Sequence, residues 1–268
     1  MFNLKKITFT AVHFALVGEL SFPKGEGPFP IILFVHGDGP ATRTACAHEK
    51  ERMWRAGYAT FVWDKPGSGE SRGKFEEKQL LHQRARILLA AVEAVKQEPR
   101  IDRKKIGVWG ISQGGYVMSI ARSTSKDISF LIAVSCPGEA SVNQISYLLK
   151  SVAECGVASQ GIADSVKKYV MALNCAKTYK EYVQLSTDFI PYAKYIESFV
   201  RKSSGPKPRE KWHPAGPEFV FNPMANIEQT TIPILAFSEK GTSRPIPFKG
   251  SMRTRKPFSM AAIDCRWW

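Results

Sequence analysis

Hydrophobic and polar positions change period several times along the chain, and each change marks an element. Near the start, "MFNLKKITFTAVHFALVGEL" alternates at period two (Ile7, Phe9, then Val12, Phe14, Leu16), which predicts two paired, half-buried strands. "FPIILFVHGDGP" gives an apolar strand over Ile31–Val35 that glycines end, and "YATFVWD" gives another over Tyr58–Asp64. A helix is predicted between them, over Ala47–Ala56. In "EEKQLLHQRARILLAAVEAVKQEP", Leu80, Leu81, Ile87, Leu88, Ala91, Val92 and Val95 recur near a period of 3.6, and Pro99 closes the helix. "KIGVWG" is the next strand, a helix runs on from Gly114, and "ISFLIAVSCPG" holds a strand over Ile128–Ser135. Strands that are apolar on both faces and alternate with helices predict a mostly parallel sheet covered on both sides, an α/β fold.

The alternation stops after residue 138. Residues 139–228 read as helices over 142–155, 165–175 and 179–200, followed by a loop rich in Pro, Gly and Lys, "RKSSGPKPREKWHPAGPEF". "IPILAFSEK" then restores a strand at Ile232–Phe237. The chain therefore divides into a core over 1–138, a helical insertion over 139–228, a returning core strand in 229–240 and an irregular tail over 241–268. No internal repeat is visible.

Composition narrows the class. The 268 residues suffice for one large domain with an insertion, and 44% of them are hydrophobic, enough for a sizeable core. No apolar run is long enough to span a bilayer. The N-terminal stretch lacks the apolar run and small-residue cleavage site of a secretory leader. The five cysteines (46, 136, 155, 175, 265) are odd in number and lack metal-ligand spacing, which fits reduced thiols and a cytoplasmic setting. The net charge of +14 raises nucleic-acid binding, but only +5 is concentrated, in residues 241–268, and the remainder is spread as on a solvated surface. Neither nucleic acid nor membrane is an expected partner, and oligomeric state is open.

The chemistry lies in three glycine-bearing turns. Gly110-Ile111-Ser112-Gln113-Gly114-Gly115 fits G-x-S-x-G between an apolar strand and a helix. A serine on so tight a turn adopts a strained backbone, and side chains two residues to either side would collide, so glycines flank it. The turn presents the hydroxyl at the sheet's carboxyl edge and aims the Gln113 N–H at a developing oxyanion, beside a helix N-terminus. "HGDGP", residues 36–40, offers a second donor, the N–H of Asp38 or its neighbour, with His36 structural. "DKPGSGES", residues 64–71, has Gly67 and Gly69 for a tight turn. Its glycine spacing misses the dinucleotide fingerprint, and no phosphate-loop lysine follows. No metal or organic cofactor is expected.

HG-x-GP, D-x-x-G-x-G-x-S and G-x-S-x-GG, in this order on successive strands, resemble the α/β-hydrolase superfamily. The likeness is nearest to serine-aminopeptidase-like and dienelactone-hydrolase-like esterases and peptidases with a helical cap. It runs from about residue 7 to 240, with 139–228 as the cap. The resemblance implies Ser112 as nucleophile, Gln113 and Asp38 as oxyanion-hole N–H donors, and a small-molecule acyl substrate. It also implies an acid after the strand Ile232–Phe237 and a histidine after a further strand. Here the acid position reads "SEKG", with Gly241 where an aspartate is expected, and the histidines are 13, 36, 48, 82 and 213.

The tail carries no period of 3.6 or 2, and Pro245, Pro247 and Pro257 interrupt it. The expectation is a reading-frame change after about residue 240, with a natural basic tail as the alternative. The last strand and closing helix of the fold are then missing, and Ile232–Phe237 becomes an exposed apolar edge. His213 in the cap loop and Glu139 after the strand Ile128–Ser135 are the candidate substitutes for base and acid. His82 is expected on a surface or in packing. Aromatic and aliphatic cap residues (Tyr147, Leu148, Tyr182, Phe189, Tyr192) fit an apolar acyl pocket or helix packing. Three function classes follow: an impaired serine hydrolase of esters or amides, a non-catalytic binder on the same fold, and a basic nucleic-acid binder.

Overall fold

The structure, a computed structural model, describes residues 3–75, 79–140, 176–193 and 221–237, together with 154, 156, 159–162, 164–166, 206, 208–212 and 214. The helices predicted over 142–155 and 165–175, the tail over 241–268, and any last strand or closing helix lie largely or wholly outside the described residues.

The N-terminal alternation forms a hairpin, β1 (Asn3–Ala11) and β2 (Phe14–Phe22), paired antiparallel. Then come β3 (Phe29–Val35), α1 (Ala47–Arg55), β4 (Ala59–Trp63), α2 (Leu80–Lys96), β5 (Ile101–Ile111), α3 (Gly114–Thr124) and β6 (Ile128–Val134). Within the stretch 139–228 come α4 (Tyr179–Ala193), a 3-10 turn at Arg209–Lys211 and the short α5 (Met224–Ile227), and after it β7 (Ile234–Phe237). The seven strands form one sheet in the order β1-β2-β4-β3-β5-β6-β7. The pairs β3/β4, β3/β5, β5/β6 and β6/β7 are parallel, and β2/β4 is antiparallel. This is the mostly parallel α/β arrangement that the resemblance implies.

The pleat sends Ile31, Leu33 and Val35 of β3 into the larger core, beneath Ala85, Leu88 and Val92 of α2 and Val117 and Ala121 of α3. Ile32 and Phe34 point to the opposite face, where they meet Val62, Trp109 and Ile132, with Met53 of α1 packed against them. A strand buried on both faces has no polar positions to spare, which is why β3 reads as an unbroken apolar run. β5 begins at Ile101, before the "KIGVWG" that periodicity marks, because Phe29 pairs with Ile101 ahead of a register shift. β7 begins two residues later than Ile232. Among the described residues β7 is the outer strand, and Leu235 and Phe237 are 53% and 43% exposed, so the expected apolar edge is present there. Among the described residues no helix is long and apolar enough to cross a membrane.

Candidate active site

The carboxyl ends of the five parallel strands β4, β3, β5, β6 and β7 lie at one edge of the sheet, and β5 delivers Ser112 there. Its φ is +50°, in the left-handed region that costs a non-glycine residue about 1–2 kcal/mol. The surrounding bonds hold that strain. The Ser112 N–H donates to the Val134 carbonyl at 3.1 Å, and the Ser112 carbonyl accepts from the Gly115 N–H at 3.0 Å. Both flanking glycines are explained by backbone, as the motif predicts. A Cβ on Gly114 would lie 2.6 Å from the Val35 carbonyl oxygen, and one on Gly110 would lie 3.1 Å from the Gly114 carbonyl. The start of α3 thus rests directly on the end of β3.

The loop after β3 closes over the serine. A Cβ built on Gly37 would stand 3.4 Å from the Ser112 Cβ. Among the described residues, the N–H groups of Gly37, Asp38 and Gln113 donate no hydrogen bond. Unpaired backbone donors beside a strained serine are what an oxyanion site requires. The side chains tie the two turns together: Gln113 Nε2 donates to Asp38 Oδ1 at 3.3 Å, while Gln113 Oε1 accepts from the Arg84 guanidinium.

His36 is structural, as expected. It is 5% exposed, and its Nε2–H donates to the Trp63 carbonyl at 3.0 Å, which assigns the tautomer. Burial drives its pKa down to about 4, so the ring is neutral. The D-x-x-G-x-G-x-S turn is a brace. Buried Asp64 accepts the Arg43 N–H at 2.7 Å, the Glu70 N–H at 2.8 Å and the Arg43 guanidinium. Gly69 is required because a Cβ there would sit 2.3 Å from Asp64 Oδ2. Ser71 Oγ accepts the Val17 N–H at 2.9 Å, pinning the turn to β2. Cys136 lies beside the elbow, donating its thiol to the Gly110 carbonyl at 3.2 Å, and burial pushes its pKa up to about 12, which keeps it an inert thiol.

Among the described residues no side chain hydrogen-bonds the Ser112 hydroxyl. His13 packs on Phe14 with ring centroids 4.1 Å apart, His48 is exposed on α1, and exposed His82 meets the Phe221 ring edge-on at 6.3 Å. His213 lies outside the described residues. Glu139 is seen through its backbone: its carbonyl accepts the Tyr116 hydroxyl of α3 at 2.7 Å, which fixes where the chain leaves β6. In the insertion, Tyr182 stacks on Trp212 at 5.5 Å, and Tyr179 packs on the same ring, so these aromatics pack on one another.

Two site residues escape a reading by motif. Lys65 and Arg84 are each 5% exposed and reach the loop that follows β3. Arg84 donates to the His36 carbonyl, and Lys65 Nζ donates to the carbonyls of Gly37 and Gly39 at 2.5 and 2.6 Å. The available signal is Arg84's place among Leu81, Ala85 and Leu88 on the buried face of α2, where the helical period calls for an apolar residue.

Comparison with known proteins follows the same geometry. The profile of the prolyl oligopeptidase family matches residues 45–187, which span the brace, the serine elbow and part of the insertion. The thiohydrolase aneE of Aspergillus aculeatus is 26% identical over 134 residues, covering 48% of this chain and 42% of that protein. The quorum-quenching protein AidA of Acinetobacter baumannii is 30% identical over 107 residues, 39% of this chain and 34% of that one. The chain thus matches less than half the length of either relative. The crystal structure of the alpha/beta hydrolase GrgF from Penicillium sp. sh18 covers 57% of this chain and 53% of its own, at 23% identity and a TM-score of 0.47.

Gly114→Ala pushes a methyl group against the end of β3, and urea unfolding will show a loss of about 1–3 kcal/mol or more. His36 gives a pH signature. Its folded pKa, about 4, lies below the ordinary 6.5, so the unfolded chain takes up a proton first as pH falls. Its contribution is whole above pH 6.5, declines from there to about pH 4, and then levels off, a loss of about 3 kcal/mol. Against His36→Gln, which keeps a donor for the Trp63 carbonyl but does not titrate, denaturation will show wild type losing ground over that window.

Proposed function

Because the chain belongs to the prolyl oligopeptidase family, we propose that it is a serine hydrolase of carboxylic esters or similar acyl bonds, thioesters included, acting through an acyl-enzyme on Ser112. The observation that carries this reading is the strained Ser112 beside the Gly37–Asp38 loop, with the N–H groups of Gln113 and Asp38 finding no acceptor among the described residues. Ser112 Oγ attacks the acyl carbon as its proton passes to solvent water. The oxyanion accepts those two N–H groups, the leaving group departs with a proton, and water then cleaves the acyl–Oγ bond. The substrate is a small acyl compound bound under the segment 139–228, which serves as the cap.

We further propose that turnover by these 268 residues is impaired. His36, His13 and His82 contact other groups, His48 is exposed on α1, Gly241 stands at the acid position, and the remaining histidine of the sequence is His213. Without a base, Ser112 keeps an ordinary high pKa and is a poor nucleophile. Peptide or amide cleavage is the second reading, favoured by the family's name. An amine leaving group needs a proton donor, which the described site does not supply.

The test is turnover of p-nitrophenyl acetate and of a peptide p-nitroanilide by the purified chain. The expected result is ester hydrolysis about 10³-fold above buffer, abolished in Ser112→Ala and unchanged in His213→Ala, with no anilide cleavage. Loss of rate in His213→Ala would make that residue the base. An ester rate equal to buffer in a folded sample would leave a non-catalytic acyl binder.

A further inference from the structure

We propose that Lys65 and Arg84 are positioning residues, two buried cations that gather the carbonyls of His36, Gly37 and Gly39 and so turn the oxyanion loop's N–H groups toward Ser112. The inference rests on the reading of that loop as the oxyanion site.

Three observations carry it. The first is peptide geometry. In a trans peptide the C=O and the following N–H point in opposite directions. Arg84 on the His36 carbonyl therefore aims the Gly37 N–H away from itself, and Lys65 on the Gly37 carbonyl does the same for the Asp38 N–H. The far end of the loop is tied as well, because the Lys65 N–H donates to the Ala41 carbonyl at 3.0 Å.

The second observation is buried charge held without an ion pair. Among the described residues neither Lys65 nor Arg84 forms an ion pair, although Lys, Arg, Asp and Glu almost never stay buried unpaired. Their hydrogen-bond acceptors are loop carbonyls and the Gln113 side chain. An apolar residue at either place would spare the desolvation cost and leave those carbonyls unheld.

The third is the space between them. Both line a cavity of about 10 Å³ with His36, Trp63, Phe75 and Ile87, room for one water at most. Both side chains are buried, so leaving those carbonyls would require repacking around them. The charged groups that face Lys65 are Arg84, the Asp38 carboxylate and the neutral His36 ring, while Asp64 next in the chain is taken by Arg43. Burial, with Arg84 adding to it, pulls the Lys65 pKa down to about 7. Lys65 is therefore charged in mild acid and neutral in mild base while Arg84 stays charged throughout, and hydrogen bonds from a neutral amine are about half as strong.

The test reads the loop without any reaction. With glycine labelled by 13C at Cα, relaxation gives order parameters for Gly37 and Gly39, with Gly107 in β5 and Gly115 in α3 as internal controls. At pH 6 the wild-type loop is expected near the rigid value of about 0.85 and Lys65→Met below about 0.6, with the controls unchanged. Wild type itself is expected to loosen at Gly37 and Gly39 between pH 6 and pH 9. A loop as ordered in Lys65→Met as in wild type, or controls that loosen with it, overturns the proposal. Should that variant not fold, wild-type order equal at the two pH values overturns it. An inert Ser112 would leave this result standing, and a failed clamp would leave the assignment of Ser112 standing.

Discussion

Backbone meets backbone where the first turn of α3 lies on the end of β3, and the rest of the site depends on that contact. With 2.6 Å between the Val35 carbonyl oxygen and the place a Gly114 Cβ would occupy, only glycine fits there. The tight fit sets how sharply the chain turns after β5, and Ser112 takes a positive φ to make the turn. The same turn leaves the Gln113 N–H without an acceptor among the described residues, at the start of a helix, where partial positive charge gathers. Strain and open donor both follow from one packing constraint.

Around that turn the loops are held mostly by buried polar groups. After β4, Asp64 gathers N–H groups and the Arg43 guanidinium, while its neighbour Lys65, together with Arg84 of α2, gathers carbonyls. The brace concentrates donors on an anion, and the two cations concentrate acceptors. Fully satisfied buried polar groups specify geometry more sharply than apolar packing does, at a cost in desolvation. The neutral His36 ring fits between them because a third positive charge beside Lys65 and Arg84 would be costly, and both cations push its pKa down in addition to burial.

Much of this was legible in the residues. The two-residue and 3.6-residue periods locate the hairpin, β3, β4, α1 and α2, because those elements are long and bury one face or both. The turn motifs locate Ser112 and the brace, because only glycine tolerates the close approaches at 69, 110 and 114. The start of β5 was not legible: Asp102 to Lys105 is polar and falls in the register shift between the Phe29–Ile101 and Ile31–Ile106 pairs, so no alternation marks it. The cation clamp was not legible as a unit either, since Lys65 and Arg84 are 19 positions apart and are joined only by the carbonyls they share. Periodicity alone marks Arg84 as out of place and says nothing of what it holds.

The central claim is that Ser112 stands in an oxyanion site without an activating base. The direct measurement is the rate at which a fluorophosphonate adds to the folded chain, with the adduct located by mass spectrometry and Ser112→Ala as control. The account predicts a single adduct on Ser112 that forms at least about a hundredfold slower than on a serine hydrolase with a complete triad, and none in Ser112→Ala. Rapid labelling, or an adduct on another residue, would contradict it.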